Sequence, residues 1–217
     1  MWVIPAWRAA GQSPALRRGG MCVIPALPCA GQRPGAWRVP SVFTHAAIPL
    51  ALWCASDRGR ISAPLLAAGV VAAMLPDADV LAFALHIPYA DSFGHRGASH
   101  SIVFAAVLAV LAALLHTRLR ASAVQAAAFV GISALSHPLL DAFTSGGLGV
   151  ALWWPWSGER LFAPWRPIRV SPFAGQFFSA RGLATVVSEL RWVWLPLAAA
   201  VIGWRLIQRA PVNSRNA

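Results

Sequence analysis

Long apolar segments without strand-like alternation dominate the chain from Ser41 onward, and they restrict its fold more than any other feature. Short connections that carry charge, proline or glycine separate these segments, a pattern typical of helices. We predict five helices, at residues 41–56, 61–76, 99–116, 121–143 and 186–208. Only the fourth clearly reaches the ~20 residues that cross a bilayer, so we expect some of the others to be short, tilted or packed inside the bundle.

The composition excludes an ordinary soluble domain. Of the 217 residues, 58% are hydrophobic and 12% are charged, whereas soluble domains have about 25% charged residues. The predicted fold class is therefore all-α, a multi-pass membrane bundle of about four to five helices. All cations are arginine, and the net charge of +11 is scattered rather than clustered. We therefore expect the lipid bilayer and a membrane-associated anionic substrate as partners, and no nucleic acid.

The two ends of the chain differ from the apolar centre. Residues 1–38 are rich in proline, glycine and arginine and repeat with a period of 20. We interpret them as a disordered leader, or as upstream sequence read through a misplaced start, with Val39 as the alternative initiation site. Residues 39–210 then form the membrane-embedded domain, and residues 211–217 form a polar tail.

A tryptophan- and proline-rich segment, residues 144–185, separates the last two predicted helices. Indole rings are partly apolar and partly hydrogen-bonding, which suits the boundary between membrane and water. We predict that this interfacial segment lies along the bilayer surface as a lid.

Most of the histidines and acids fall at helix ends that should meet. In an up-and-down bundle, the starts of helices one and three and the ends of helices two and four emerge on the same side. Seven ionisable residues lie at these ends: His45, Asp77, Asp79, His95, His100, His137 and Asp141. Ionisable groups at membrane depth cost about 2.5 kcal/mol or more each and persist mainly where they pair or bind ions. Metal coordination is their simplest common explanation.

The pair His137 and Asp141 is the best local candidate for metal binding. Four residues apart on a helix, the two side chains project from the same side. Alone, the pair is equally consistent with a helix-end ion pair or with a histidine bonded to a backbone carbonyl. Mixed imidazole and carboxylate donors without thiolate suit Zn(II), with Mn(II) as the next choice.

The remaining polar positions allow more than one role. Asp77 is the first choice for a ligand after Pro76, and Asp79 is either a general base or a partner that orients a ligating imidazole. Arg96 is either a lipid-phosphate contact or a cation that holds an anionic substrate. Ser99 is expected to cap helix three.

Several motifs together resemble one family. They are Thr44-His45, the segment 75–79 (LPDAD), the segment 94–101 (GHRGASHS), the segment 136–141 (SHPLLD) and the segment 149–155 (GVALWWP) followed by Arg160. In this order the motifs resemble those of the YdjM-like bacterial inner-membrane proteins. The resemblance covers about residues 40–172 well and the last helix loosely. It implies a metal-dependent hydrolase located in the inner membrane.

That family is in turn distantly similar to the zinc-dependent phospholipase C and P1 nuclease group. This similarity implies a set of metal ligands: His45, Asp77, His95, His100, His137 and Asp141. The sequence lacks an obvious later HxxxE motif, so we expect one or two ions rather than three. Asp79, Arg96 and Arg160 are the expected catalytic residues, with the two arginines neutralising charge on the substrate.

The functional prediction is hydrolysis of a phosphoester or other ester of a membrane-associated substrate by metal-activated water. Two alternatives stay open at this point. The cluster could serve a proton- or ion-coupled transporter as a relay, or a non-catalytic membrane scaffold as a structural metal site.

Overall fold

Helices form most of the described part of the computed structural model, which covers residues 22–23, 38–39, 42–172 and 179–209. Three helical stretches there are long and apolar enough to span a bilayer, at Ala63–Ala84, Ala123–Ala142 and Ala180–Arg209. Two shorter apolar helices, Phe43–Ala55 and Ile102–Leu114, accompany them. The predicted all-α membrane bundle is confirmed.

The described residues form seven α-helices and four strands of two residues each. The strands are β1 (Cys22–Val23), β2 (Arg38–Val39), β3 (Leu161–Phe162) and β4 (Ser171–Pro172). The helices are α1 (Ala47–Ala55), α2 (Ala63–Met74), α3 (Leu81–Ala84), α4 (Ile102–Leu114), α5 (Ala123–Ala142), α6 (Ala180–Glu189) and α7 (Leu195–Arg209). Three 3₁₀ turns, Val42–Ala46, Leu75–Val80 and Ala98–His100, and one π-helical turn, Leu190–Trp194, complete the set. Apart from residues 22, 23 and 38, the predicted leader lies outside the described residues, as does the tail.

Two predicted helices are longer than the sequence pattern indicated, so three stretches rather than one clearly reach the length of a bilayer span. Pro76 does not end the second helix, because the 3₁₀ turn Leu75–Val80 carries the chain on into α3 and gives a stretch of 22 residues. The last helix begins at Ala180 rather than at 186, and α6, the π-helical turn and α7 form a stretch of 30 residues. The interfacial segment is correspondingly shorter.

Serine caps fix the starts of the three central helices. The hydroxyls of Ser62, Ser101 and Ser122 accept hydrogen bonds from the backbone N–H groups three residues later, at 3.1–3.2 Å. Each cap satisfies an amide that has no partner within the helix. Ser101 therefore has the capping role that the sequence suggested for Ser99, and that prediction is wrong.

Small side chains allow α2, α4 and α5 to pack closely. Their shared core is largely alanine, with Leu65, Phe129 and Val130 filling the remaining space. At Gly69 the approach is closest, because an added Cβ would lie 2.3 Å from Cε1 of Phe129. Close packing through small residues is the usual way in which helices associate within a bilayer.

The interfacial segment folds back over one end of this bundle. β1 pairs with β3 and β2 with β4, each antiparallel. Bridges join Thr144 to Ile168 and Val150 to Leu161, and the amide of Ala151 donates to the carbonyl of Arg96 at 3.0 Å. Both bridges lie within the segment itself. The bond from Ala151, and a second from the Ala163 amide to the carbonyl of Ala142 at 2.9 Å, hold the segment against the bundle end at which α5 finishes.

Candidate metal centre

Four buried side chains converge at this end of the bundle. The Nε2 atoms of His137 and His100 are 3.0 Å apart, and His137 Nε2 is 3.4 Å from Oδ1 of Asp77. Oδ2 of Asp141 lies 3.3 Å from His100 Nε2 and 3.9 Å from His137 Nε2. One potential ligand atom from each residue lies within 4.8 Å of all the others. We call Asp77, His100, His137 and Asp141 the ligand group.

The four members of the ligand group reach this point from three local structures. The 3₁₀ turn Leu75–Val80, which contains Pro76, tightens the chain and turns Asp77 inward. His100 is the last residue of the turn that precedes the Ser101 cap of α4. His137 and Asp141 lie one turn apart on α5. The members thus come from three separate stretches of the chain.

The donor atoms of the ligand group fit a divalent cation. All four carboxylate oxygens of Asp77 and Asp141 are buried. Among the described residues, only Arg96 places a permanent cation against them, with its Nε 2.9 Å from Oδ2 of Asp141. Buried carboxylates are costly unless cations compensate their charge. Four ligands at about 2.0–2.2 Å from a tetrahedral Zn²⁺ would lie roughly 3.3–3.6 Å from one another. The four separations given above span this range, from 3.0 to 3.9 Å. The group could therefore hold a metal ion.

His45 lies directly against the ligand group. Its Nε2 is 3.8 Å from Oδ2 of Asp77 and 3.7 Å from Oδ1 of Asp141. The His45 ring stacks on that of His137, with centroids 3.6 Å apart. Neither ring nitrogen of His45 has a hydrogen-bond partner among the described residues, so the imidazole is available as a further ligand.

The other nitrogen of His137 is held by the backbone. Its Nδ1 donates to the carbonyl oxygen of Ala73 at 2.7 Å, which leaves Nε2 as the atom that faces the ligand group. A histidine bonded to a backbone carbonyl was one of the alternatives to metal binding that the spacing of His137 and Asp141 left open. In metal sites the two occur together, since a bond to one ring nitrogen fixes the orientation of the other.

Asp79 orients two histidines rather than facing the centre of the group. Its Oδ1 contacts Nδ1 of His95 at 2.5 Å, and its Oδ2 contacts Nδ1 of His100 at 3.1 Å. Oδ2 also accepts from the Ser99 hydroxyl at 2.6 Å and from the Arg96 amide at 3.0 Å. These four contacts match a carboxylate that fixes the orientation of ligating imidazoles.

His95 lies beside the ligand group but outside its closest four members. Its ring is 5.7 Å from that of His100, and Asp79 connects the two. No described residue hydrogen-bonds to its Nε2. His116, in contrast, lies beyond the far end of α4, where its Nδ1 is 3.2 Å from the carbonyl oxygen of Ala121.

The proton on His100 is governed by the neighbouring carboxylates. Burial lowers the pKa of His100, but hydrogen bonds and charge from Asp141 and Asp79 outweigh burial and raise it to about 9. The neighbouring carboxylates therefore favour the positively charged form of the imidazole, and a metal that binds at Nε2 must displace the proton from that nitrogen.

Arg96 is completely buried and forms an ion pair with Asp141 of the ligand group. Its Nε lies 2.9 Å from Oδ2 of Asp141, and its NH1 donates to the carbonyl of Gly146 at 3.0 Å. Its backbone is left-handed, with φ +63°, which costs on the order of 1–3 kcal/mol outside glycine. A guanidinium with no exposed surface has no route to a lipid phosphate.

Arg160 binds the backbone of the loop that precedes His95. Its NH1 donates to the carbonyl of His95 at 2.8 Å, and its NH2 donates to those of Tyr89 and Asp91 at 3.1 and 2.8 Å. Burial lowers the pKa of Arg160, with smaller contributions from its neighbours. The side chain therefore joins the interfacial segment to the loop that carries His95.

Glu189 is a buried acid that the sequence analysis did not select. Its Oε2 accepts the Thr44 hydroxyl at 2.8 Å, and the indole nitrogen of Trp194 lies 3.3 Å from the same hydroxyl oxygen. Thr44 directly precedes His45. The signal was present in the sequence, since Glu189 is an acid within an apolar stretch, and a π-helical turn next to it often marks a functional position.

The fold and the site together define a class of protein. It is a multi-pass helical membrane protein with a buried group of histidines and aspartates at one bundle end, and this group could hold a metal ion. The chain belongs to the YdjM inner membrane protein family, whose model matches residues 41–212. It is 46% identical over 171 residues to the inner membrane protein YbcI of Escherichia coli (strain K12). That match covers 77% of this chain and 99% of YbcI.

No solved structure matches the chain. The family match and the apolar spans agree that this is an inner-membrane protein, so the predicted family and location are confirmed. The family name describes a location and not a reaction.

Proposed function

We propose that this protein is a metal-dependent hydrolase of the inner membrane that acts on a phosphoester or other ester of a membrane-associated, anionic substrate. The observation that carries the proposal is the ligand group itself. It places two buried carboxylates and two buried imidazoles around one point at a bundle end, with one potential ligand atom from each within 4.8 Å of all the others.

The residues that would hold the ion are Asp77, His100, His137 and Asp141, with His45 as the fifth donor. Nitrogen and oxygen donors without thiolate favour Zn(II), followed by Mn(II). When bound, such an ion lowers the pKa of water and polarises the bond to be cleaved. His95 lies close enough to the group to serve a second ion, so one or two ions per chain are expected.

The neighbouring polar residues hold the ligands in place. Asp79 fixes the orientation of His100 and His95, which supports the orienting role over the role of general base. Arg96 compensates the charge of Asp141, and Arg160 fixes the backbone at His95. Because both guanidinium groups already bind protein atoms, we propose that they position ligands rather than contact the substrate.

The test is hydrolysis by purified protein in lipid nanodiscs, assayed on a panel of phosphomonoesters, phosphodiesters and carboxylic esters that includes phospholipids. The wild type loaded with Zn(II) should turn over at least one class, and Asp77→Asn should lower the rate at least a hundredfold. His116→Ala is the matched control, because His116 lies away from the group. Equal rates for the wild type and Asp77→Asn would refute the proposal.

A non-catalytic protein with a structural metal is the second candidate. Complete burial of His100, His137 and Asp141 favours it, because a structural site is closed to substrate. Stoichiometric metal without turnover on any class in the panel would support this second function over the first.

A further inference from the structure

An apolar groove lies beside the ligand group, on the outer side of α4. It has a volume of about 380 Å³, and its lining includes Asp79, Phe93, Ser99, Val103, Val107 and Trp154. Pockets of this size accommodate small molecules. None of the proposed metal ligands lines the groove, so it is a separate feature of the molecule.

The groove is polar at one end only. At that end lie Asp79 and Ser99, whose side chains also contact His100 of the ligand group. The rest of the lining is apolar, and it runs along the first turns of α4 through Val103 and Val107, which lie about 6 Å apart along the helix axis. This is the polarity of a lipid, with a headgroup at one end and a hydrocarbon chain at the other.

The position of the groove also fits a bilayer lipid. Val107 is 50% exposed on a helix whose exposed residues are apolar, which places the far end of the groove in hydrocarbon. Phe93 and Trp154 make an edge contact at the other end, with centroids 5.8 Å apart. Aromatic rings of this kind concentrate at the level of lipid headgroups.

We propose that this groove binds one acyl chain of a bilayer phospholipid, with the headgroup located beyond the polar end at Asp79 and Ser99. The identification of that lipid as the substrate rests on the proposed function. Binding of the chain does not, because it depends only on the shape and polarity of the groove. The substrate class follows as an acyl lipid rather than a water-soluble ester.

The test uses photo-crosslinking in vesicles of phosphatidylethanolamine and phosphatidylglycerol that contain a trace of phosphatidylglycerol with a diazirine on one acyl chain. Peptide mapping of the wild-type protein should place saturable label on the first two turns of α4 and on the peptide with Trp154. Excess unlabelled phosphatidylglycerol should reduce this label at least fivefold. Label spread evenly over the exposed faces of α4 and α7, without saturation, would overturn the proposal.

Two matched variants test the groove itself. Val107→Trp fills it, whereas Val110→Trp makes the same change three residues further along α4, where Val110 is 58% exposed and does not line the groove. Label on the Trp154 peptide should fall at least fivefold in the first variant and stay unchanged in the second. Equal labelling of that peptide in both variants would overturn the proposal.

Metal content measured on the same samples separates the two proposals. Saturable label in protein without stoichiometric metal supports the acyl-chain site and removes the hydrolase proposal together with the assignment of the lipid as its substrate. Stoichiometric metal with unsaturable label removes the acyl-chain site and leaves the metal centre in place.

Discussion

Removing the charge of Asp141 should destabilise the protein through Arg96 even when no metal is present. The two side chains are completely buried and lie 2.9 Å apart. Removing one partner of a buried ion pair costs about 3–5 kcal/mol, because the other charge stays buried without compensation. Each kcal/mol shifts the Tm of a domain of this size by about 2–4 °C, so Asp141→Asn should lower Tm by roughly 6–20 °C.

The assay is thermal unfolding in detergent after treatment with a chelator, so that loss of metal does not contribute. Arg96→Met should cause a loss similar to that of Asp141→Asn. The double variant removes both charges, and its loss should be smaller than the sum of the single losses by about 0.5–3 kcal/mol. Asp57→Asn is the control, because its ion pair with Arg205 is exposed and should contribute less than about 1 kcal/mol.

Additive losses in the double variant would refute this reasoning. Additivity within about 0.5 kcal/mol means that two groups do not interact. Arg96 would then be free of its proposed role as the partner of Asp141. The role predicted from the sequence, contact with an anionic substrate, would become the better explanation.

Three further changes test other parts of the account. Glu189→Ala removes the charged acceptor of the Thr44 hydroxyl, and a hydrogen bond to a charged group contributes about 1.5–3 kcal/mol. The Tm should therefore fall by about 3–12 °C. An unchanged Tm would show that the contact is not stabilising. Gly69→Ala should lower the free energy of unfolding by about 1–3 kcal/mol, because the added Cβ would overlap Phe129. Gly203→Ala is the control and should not lower it, because no atom lies within 4 Å of the added Cβ. Equal effects of the two changes would contradict the packing model. Free Zn(II) at about a hundredfold its Kd should raise Tm by roughly 5–10 °C over chelated protein, and no shift would argue against the site.

Helix connectivity was sufficient to place the polar residues at one end of the bundle. Alternating helix direction requires the start of α4 and the end of α5 to meet, and the structure has His100 and His137 in contact there. The spacing of His137 and Asp141 likewise determines that both project from one side of α5. These inferences depend on periodicity and connectivity, which are readable from a sequence.

Other features depend on tertiary contacts that no local pattern encodes. The left-handed backbone of Arg96 and its burial against Asp141 arise from the loop and the interfacial segment closing over it. Pro76 predicted a helix end, but a 3₁₀ turn tolerates proline and let the stretch continue to Ala84. Glu189 gained its partner Thr44 from 145 positions away in the chain.

The central claim is that the ligand group holds a metal ion, and metal content tests it most directly. Protein purified without chelator is analysed by inductively coupled plasma mass spectrometry, together with His137→Ala and with His116→Ala as the matched histidine control. We predict one or two divalent ions per chain in the wild type and in His116→Ala, and almost none in His137→Ala. A wild type without stoichiometric metal, or a His137→Ala variant that keeps the wild-type ratio, would contradict the account.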